Sequence, residues 1–314
     1  MLVPGETEVK FVNFGQLLII NRKMTNTLQR IQFGLSSTKI KKVLKIKAFP
    51  FLILAFVILV MSGCERTFEY SPYSASVNDK RKNTTQKKLD LLAQIEEETA
   101  GDSSFKIALI SDSHTFYNSL AKAVNLINQD EDVDFVLHGG DMTDGGLIAE
   151  YTLFFEIVGQ LNQPYFTVIG NHDLLANGRT IYGKQYGSEN YSFVFKRCKF
   201  VFFNDVIWEL NYTEPDFGWL TEQIKDSDSY DRVFVIAHIP PWSDQFTPLY
   251  TLFYSTVMDS FNVDMSIHGH HHDPYFGNFF QDDVPYLVIG SPGEGVFRTL
   301  IVKPDTLIVE TIQL

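Results

Sequence analysis

From Phe105 onward the chain alternates short apolar, β-branched runs with helical segments, and the runs end in aspartate, glycine or histidine. The first half reads FKIALIS at 105–111, a helix near 119–128, DFVLHGG at 134–140, a helix near 147–161 and YFTVIG at 165–170. Strands separated by helix-length segments indicate βαβ units. The second half is richer in strands: YSFVF, KFVFF, RVFVIAH, VDMSIHG, PYLVIG, GVFRTLIV and TLIVETI, with helices expected near 216–225 and 249–261. This mixture predicts an α/β fold in which two mixed β-sheets pack as a sandwich flanked by helices, over residues 105–314.

The eight histidines all fall at the ends of these runs. Most stand with acids and an amide in five short blocks: Asp112-Ser113-His114, Gly140-Asp141, Gly170-Asn171-His172-Asp173, Ala237-His238-Ile239-Pro240-Pro241 and Gly269-His270-His271-His272. Ligands of open α/β sheets bind beyond the carboxyl ends of the strands, so the blocks are expected to converge on one crevice. Asp112 and Asp141 are 29 residues apart and Asp141 and Asn171 are 30 apart, about one βαβ unit each. A single strand-end aspartate or histidine is well explained as a cap or turn former. Five ordered blocks need a common cause. Glycines 139, 140, 145 and 146 permit tight turns around Asp141. An Asp/His/Asn set suits Mn, Fe or Zn better than a thiolate-loving ion.

The blocks resemble the calcineurin-like metallophosphoesterase family, whose pattern runs D-x-H, G-D, G-N-H-[DE], H and G-H-x-H in that order. The resemblance covers about residues 105–275 and implies a four-layer α/β/β/α fold that carries two divalent metal ions. By motif, Asp112, His114 and His272 would hold one ion, Asn171, His238 and His270 the other, and Asp141 would bridge them. His172 would be the catalytic histidine that is not a ligand, and Asp173 the group that orients it. His138 and His268 are expected as supporting or core residues and His271 as exposed. The activity implied is hydrolysis of phosphodiester or phosphomonoester bonds by a metal-bridging hydroxide in an in-line displacement, with His172 protonating the leaving oxygen. The run Gly140 to Gly145, with His238-Ile239-Pro240-Pro241, is similar to the branch that includes class III cyclic-nucleotide phosphodiesterases. Thr143 and Asp144 stand where purple acid phosphatases carry a metal-binding tyrosine, so a purple iron site is not expected.

Near the blocks, Phe116, Tyr117, Tyr182, Tyr186, Trp242, Tyr275 and Phe276 serve equally as cleft lining or as core. Arg179 is the only basic residue just past the Asn171 block, and no arginine cluster reads as a nucleotide phosphate clamp.

Upstream of the domain, the uncharged run Ala48 to Met61 follows a basic stretch and ends at Met61-Ser62-Gly63-Cys64. A charged region, an apolar region and small residues before a cysteine resemble the leader of bacterial lipoproteins, where cleavage leaves a lipidated Cys64. Ala48 to Cys64 falls short of the ~20 apolar residues that a spanning helix needs. Residues 1–63 are therefore read as a leader, with a true start expected near Val43 or Leu44, and 64–104 as a tether carrying a short helix around Lys88 to Glu98. The expected location is the bacterial cell envelope, lipid-anchored and facing the periplasm or exterior.

Removing the leader changes the electrostatics. The chain's 26 basic and 38 acidic residues fall to 17 and 36, a net charge of −19. Such a surface repels anionic polymers, which excludes sequence-independent binding to a nucleic-acid scaffold and requires a local positive centre to attract any phosphoester. Two cysteines cannot build a disulfide scaffold or a thiolate site, and a structural metal shell would be Cys-rich. The alternative to an enzyme is a lipid-anchored binding module that keeps the fold, which predicts loss of ligands; none of the nine site positions is lost.

Overall fold

The protein is described here by a computed structural model covering residues 71–314. The leader assigned to 1–63 and the cysteine at 64 lie outside the described residues. Among the described residues, no helix is long and apolar enough to cross a membrane.

The alternating runs form eleven strands and six α-helices in this region. Strands β1 (Phe105–Ile110), β2 (Val133–His138) and β3 (Tyr165–Thr167) are joined by helices α2 (Tyr117–Gln129) and α3 (Ile148–Val158). They pair in parallel, as crossover connections require. The C-terminal strands β10 (Val296–Lys303) and β11 (Thr306–Gln313) return to this sheet antiparallel, giving the order β11-β10-β1-β2-β3. The second sheet runs β4-β5-β6-β7-β9-β8. Its strands are β4 (Tyr191–Phe195), β5 (Cys198–Phe203), β6 (Arg232–Ala237), β7 (Met265–His268), β8 (Tyr275–Gly277) and β9 (Tyr286–Val288). The inner four, β5, β6, β7 and β9, are parallel.

Alternate residues of both sheets face each other in a dry layer that includes Ile107, Leu109, Phe135, Phe166, Phe200, Phe202, Phe234, Ile267, Leu287 and Leu300. The opposite faces, with Ala108, Ile110, Val136, Val201, Val235 and Ala237, meet helix residues such as Leu120, Val124, Phe154, Leu220 and Tyr254. Strands buried on both sides read as near-continuous apolar runs, which is why the sequence shows them so plainly. The layers are mixed sheets back to back with helices outside, as expected. Remaining helices are α1 (Thr84–Glu98), α4 (Gly178–Gln185), α5 (Phe217–Ile224) and α6 (Pro248–Ser260).

Residues 71–104 are laid against this body. Leu92 of α1 and the preceding Val77 are buried, the Arg81 guanidinium donates to the Thr152 hydroxyl at 2.6 Å, and the Lys184 ammonium donates to the Ala75 carbonyl at 2.9 Å. Two elements escape the sequence reading. Helix α4 carries Gly178 and Gly183, poor helix formers, and holds because Ile181, Tyr182 and Gln185 bury one face. Strand β8 has only three residues, none fully buried, on the sheet edge.

Phe200 bridges the layers. Its ring stands edge-on to Phe135 of the first sheet at 5.3 Å and stacks on Phe193 and Phe234 of its own sheet at 5.2 and 5.0 Å. Next to it Cys198 is buried, and burial, reinforced by Asp231 and Asp264, pushes its thiol up to about 12, so it packs as a small apolar group. Replacing Phe200 with alanine should lower unfolding stability by about 3–5 kcal/mol, read from the denaturant midpoint at unchanged slope.

Candidate metal centre

Parallel pairing brings the carboxyl ends of β1, β2 and β3 to one edge of the first sheet and those of β6 and β7 to the facing edge of the second. Backbone bonds tie neighbouring tips, Asp112 N–H to the Gly140 carbonyl at 3.0 Å and Gly269 N–H to the His238 carbonyl at 3.1 Å. The His238 ring ties the two sheets, its Nδ1–H donating to the Gly139 carbonyl at 2.7 Å.

All seven ligand candidates meet there. Carboxylate and imidazole atoms of Asp112, His114 and His272 lie within 4.8 Å of one another, and so do those of Asp141, His238 and His270. The first group is the set that the resemblance assigns to one ion, and the second joins the bridging Asp141 to two residues assigned to the other. The third of those residues, Asn171, places its amide oxygen 3.2 Å from His238 Nε2 and 3.2 Å from His270 Nδ1. Asp141 lies between the groups, its Oδ2 3.2 Å from His238 Nε2 and 3.7 Å from His114 Nε2.

Four of these residues adopt left-handed backbone: Asp112 at φ 51°, His114 at 41°, Asp141 at 55° and His270 at 64°. Non-glycine residues rarely hold that region, and clusters of them mark sites whose surroundings over-determine the geometry. Two glycines make room. Gly140 has φ 97°, and a β-carbon there would collide with the His238 ring; one on Gly170 would collide with the Asp141 carboxylate.

Buried acids and a buried imidazole face one another here. Burial raises the Asp112 carboxyl, and the nearby Asp141 adds to it although His238 opposes. At Asp141 burial also disfavours charge, but His238 outweighs it and holds that carboxyl low. In return His238 is raised to about 10: burial works against its charge, and Asp141 and Asp112 prevail. Buried carboxylates facing imidazole nitrogens, with one amide oxygen aimed at two rings, are donors suited to a hard-to-borderline divalent ion. His114 Nδ1 lies 3.2 Å from the Thr143 carbonyl and His238 Nδ1 bonds Gly139, which leaves each Nε2 turned to the centre. The residues present fit such ions.

His172 stands at the mouth, half-buried, its ring 4.7 Å from that of His114. Its Nδ1 bonds the Asp144 carbonyl at 2.7 Å. Burial disfavours its charged form, but Asp141, the Asp144 carbonyl and the Asp144 carboxylate raise its pKa above the ordinary value. Asp173, expected to orient this ring, does something else. Its buried oxygens accept from the N–H groups of Met142 (3.3 Å), Thr143 (3.0 Å) and Gly170 (3.0 Å) and from the Thr143 hydroxyl (2.9 Å). It binds the Asp141 loop to the Asn171 loop, and Asp144 holds His172.

Other participants escape the sequence reading. Asp144, with His114 and His172, forms a third group of facing donor atoms. Asp205 is buried at the end of β5 and accepts from the His238 and Ile239 N–H groups at 3.2 and 3.1 Å. The strand-end rule that singled out the five blocks applies equally to KFVFFND. Of the aromatic candidates, Tyr182 and Tyr186 are core and Phe116 lines the crevice. Trp242 and Tyr275 join an aromatic cluster with Phe279 and Tyr286. His138 and His268 are buried, bonded through Nε2 to Ser113 and Ser266. Arg179 is exposed and forks onto Glu189.

Comparison with known proteins identifies the family. The family model described as calcineurin-like phosphoesterase matches residues 105–274, more than half of the chain, and the chain belongs to that family. Among solved structures, GAP50, the anchor in the inner membrane complex of Plasmodium, is similar at a TM-score of 0.53 and 15% identity, over 67% of this chain and 84% of that one. A purple acid phosphatase from yellow lupin seeds is similar at 0.52 and 15% identity, over 67% of this chain and 51% of its own length. At that identity both show the shared fold. A search of curated proteins finds no match.

Exchange of Asp173 for alanine separates its two roles. Each buried N–H left without an acceptor costs about 1–3 kcal/mol, so the variant should lose thermal stability and divalent-ion affinity together. A residue that only orients His172 would leave both unchanged in calorimetry.

Proposed function

We propose that the protein is a metal-dependent phosphoesterase, with a preference for phosphodiesters, held at the bacterial cell envelope by a lipidated Cys64. The observation that carries the catalytic part is the convergence of seven donor side chains, from five strand ends, in one crevice with His172 at its mouth. Asp112, His114 and His272 would hold one divalent ion, and Asn171, His238 and His270 a second, with Asp141 shared. Ions of the Mn, Fe or Zn type would supply water of lowered pKa and positive charge for the phosphoryl oxygens. The chain's own task is to fix this geometry and handle the proton. With Nδ1 bound to the Asp144 carbonyl, His172 has Nε2 free to protonate a leaving oxygen, and the neighbouring acids favour its protonated form.

Export directs the choice of substrate. An enzyme outside the cytoplasm meets envelope or extracellular phosphoesters, not the intracellular cyclic nucleotides that its GDMTDG and HIPP segments bring to mind. The binding-module reading rests on the fold alone, which the anchor protein of Plasmodium shares.

The decisive assay uses full-length protein, stripped of metal and then supplied with Mn, Fe(II), Zn or Mg, against para-nitrophenyl phosphate and bis-para-nitrophenyl phosphate. Metal-dependent cleavage, faster on the diester, is expected. Ion binding without cleavage of either ester would leave the binding module. In the same assay His172→Ala should lower turnover roughly 10²–10⁴-fold at unchanged metal content, whereas Asp141→Ala should lose ions and activity together. Anchoring is tested by Cys64→Ser: the variant should remain unprocessed or leave the membrane fraction, and unchanged membrane association after clean cleavage would refute lipidation.

A further inference from the structure

The crevice has one apolar wall. Its cavity, about 260 Å³, is bounded by His114, Asp141, His172, His270 and His272, and beside them by Phe116, which stays 42% exposed. The ring belongs to neither hydrophobic core layer. Its seat is specific. A β-carbon built on Gly293 falls 2.5, 2.6 and 2.9 Å from the Cε2, Cδ2 and Cζ atoms of the ring. Three successive ring atoms at nearly equal distance place Gly293 over a face of the phenyl, because an approach in the ring plane would leave the flanking atoms much farther. One face of Phe116 therefore rests on the glycine, and the partly exposed ring borders the cavity.

The seat is also tied to the metal centre. The Gly293 N–H donates to the Ser291 hydroxyl at 3.0 Å, and that hydroxyl donates to the Asp112 carbonyl at 2.8 Å. On the other side Phe116 N–H bonds the Ser113 carbonyl at 2.9 Å, between Asp112 and His114. The ring is thus held at a set position from the donors. Among the described residues no lysine or arginine lines the cavity, so no side-chain cation there would hold a second phosphate.

From this geometry, and resting on the phosphoesterase reading above, we infer that Phe116 is a stacking shelf for the esterified group, and that the substrates carry a flat aromatic or heteroaromatic ring beside a single phosphoryl group. The shelf acts by positioning: a ring stacked on it sets the phosphoryl group over the donors, while a saturated group gains only part of that contact.

The test uses pairs matched in size and leaving-group basicity, on full-length Mn-loaded protein. The diesters methyl benzyl phosphate and methyl cyclohexylmethyl phosphate report turnover, and the non-hydrolysable benzylphosphonate and cyclohexylmethylphosphonate report binding by calorimetry. The wild type should prefer the benzyl member of each pair. Phe116→Ala should lower kcat/KM and affinity for the benzyl compounds about tenfold, as expected for loss of one stacked pair, and shift the cyclohexylmethyl compounds far less. Phe116→Tyr should restore the preference. Equal losses on both members, or no loss on either, would overturn the shelf. Absence of hydrolysis with the benzylphosphonate preference intact would overturn the phosphoesterase reading and leave the shelf standing.

Discussion

The bond from His238 Nδ1 to the Gly139 carbonyl joins the two sheets at the edge where the site lies. It is short, buried and spans 99 residues of sequence. Everything at the centre is placed relative to it. Gly139 leads into Asp141, and His238 is fixed in turn by Asp205 behind its backbone and by Asn171 in front. The aromatic layer around Phe200 sets how the sheets face each other, and this bond sets their register at the crevice. An imidazole suits the position because one nitrogen can serve structure while the other faces the donors.

Much of this was legible in the sequence, for a physical reason. Parallel strands buried on both faces appear as unbroken apolar runs, and their abrupt polar ends mark the edge at which ligands bind. The five blocks therefore mark the edge at which their aspartate, asparagine and histidine side chains come to face one another. Roles inside the crevice were less legible. Asp173 follows His172 directly, yet adjacency in a tight turn turns its carboxylate away, onto the Asp141 loop. Asp144 reaches His172 through its backbone carbonyl, which has no signature in residue type. Asp205 was readable by the strand-end rule and was missed because its block contains no histidine. Strand β8 and helix α4 are too short and too glycine-rich to declare themselves, and their neighbours impose them.

Thr143 braces the loop that carries Asp141. It bonds Asp173 through its hydroxyl and N–H, and offers its carbonyl to His114. It stiffens the loop around Asp141 and contributes no side-chain donor to the crevice.

The span of the contacts around Asp112 bears on how the centre comes into being. Its carboxylate accepts the His270 N–H across 158 residues, and its carbonyl accepts the Ser291 hydroxyl across 179. Closing such loops is slow, and their entropy must be spent before the contacts give anything back. The left-handed turns at Asp112, His114, Asp141 and His270 are held by contacts between separate strand ends, so a short fragment of the chain has no reason to adopt them. A chain truncated before Ser291 would carry all seven donors in sequence and lack the contacts that the last strands make with the Asp112 loop. Any ion that needed these donors together would distinguish chains whose final strands have returned to the first sheet from chains whose final strands have not.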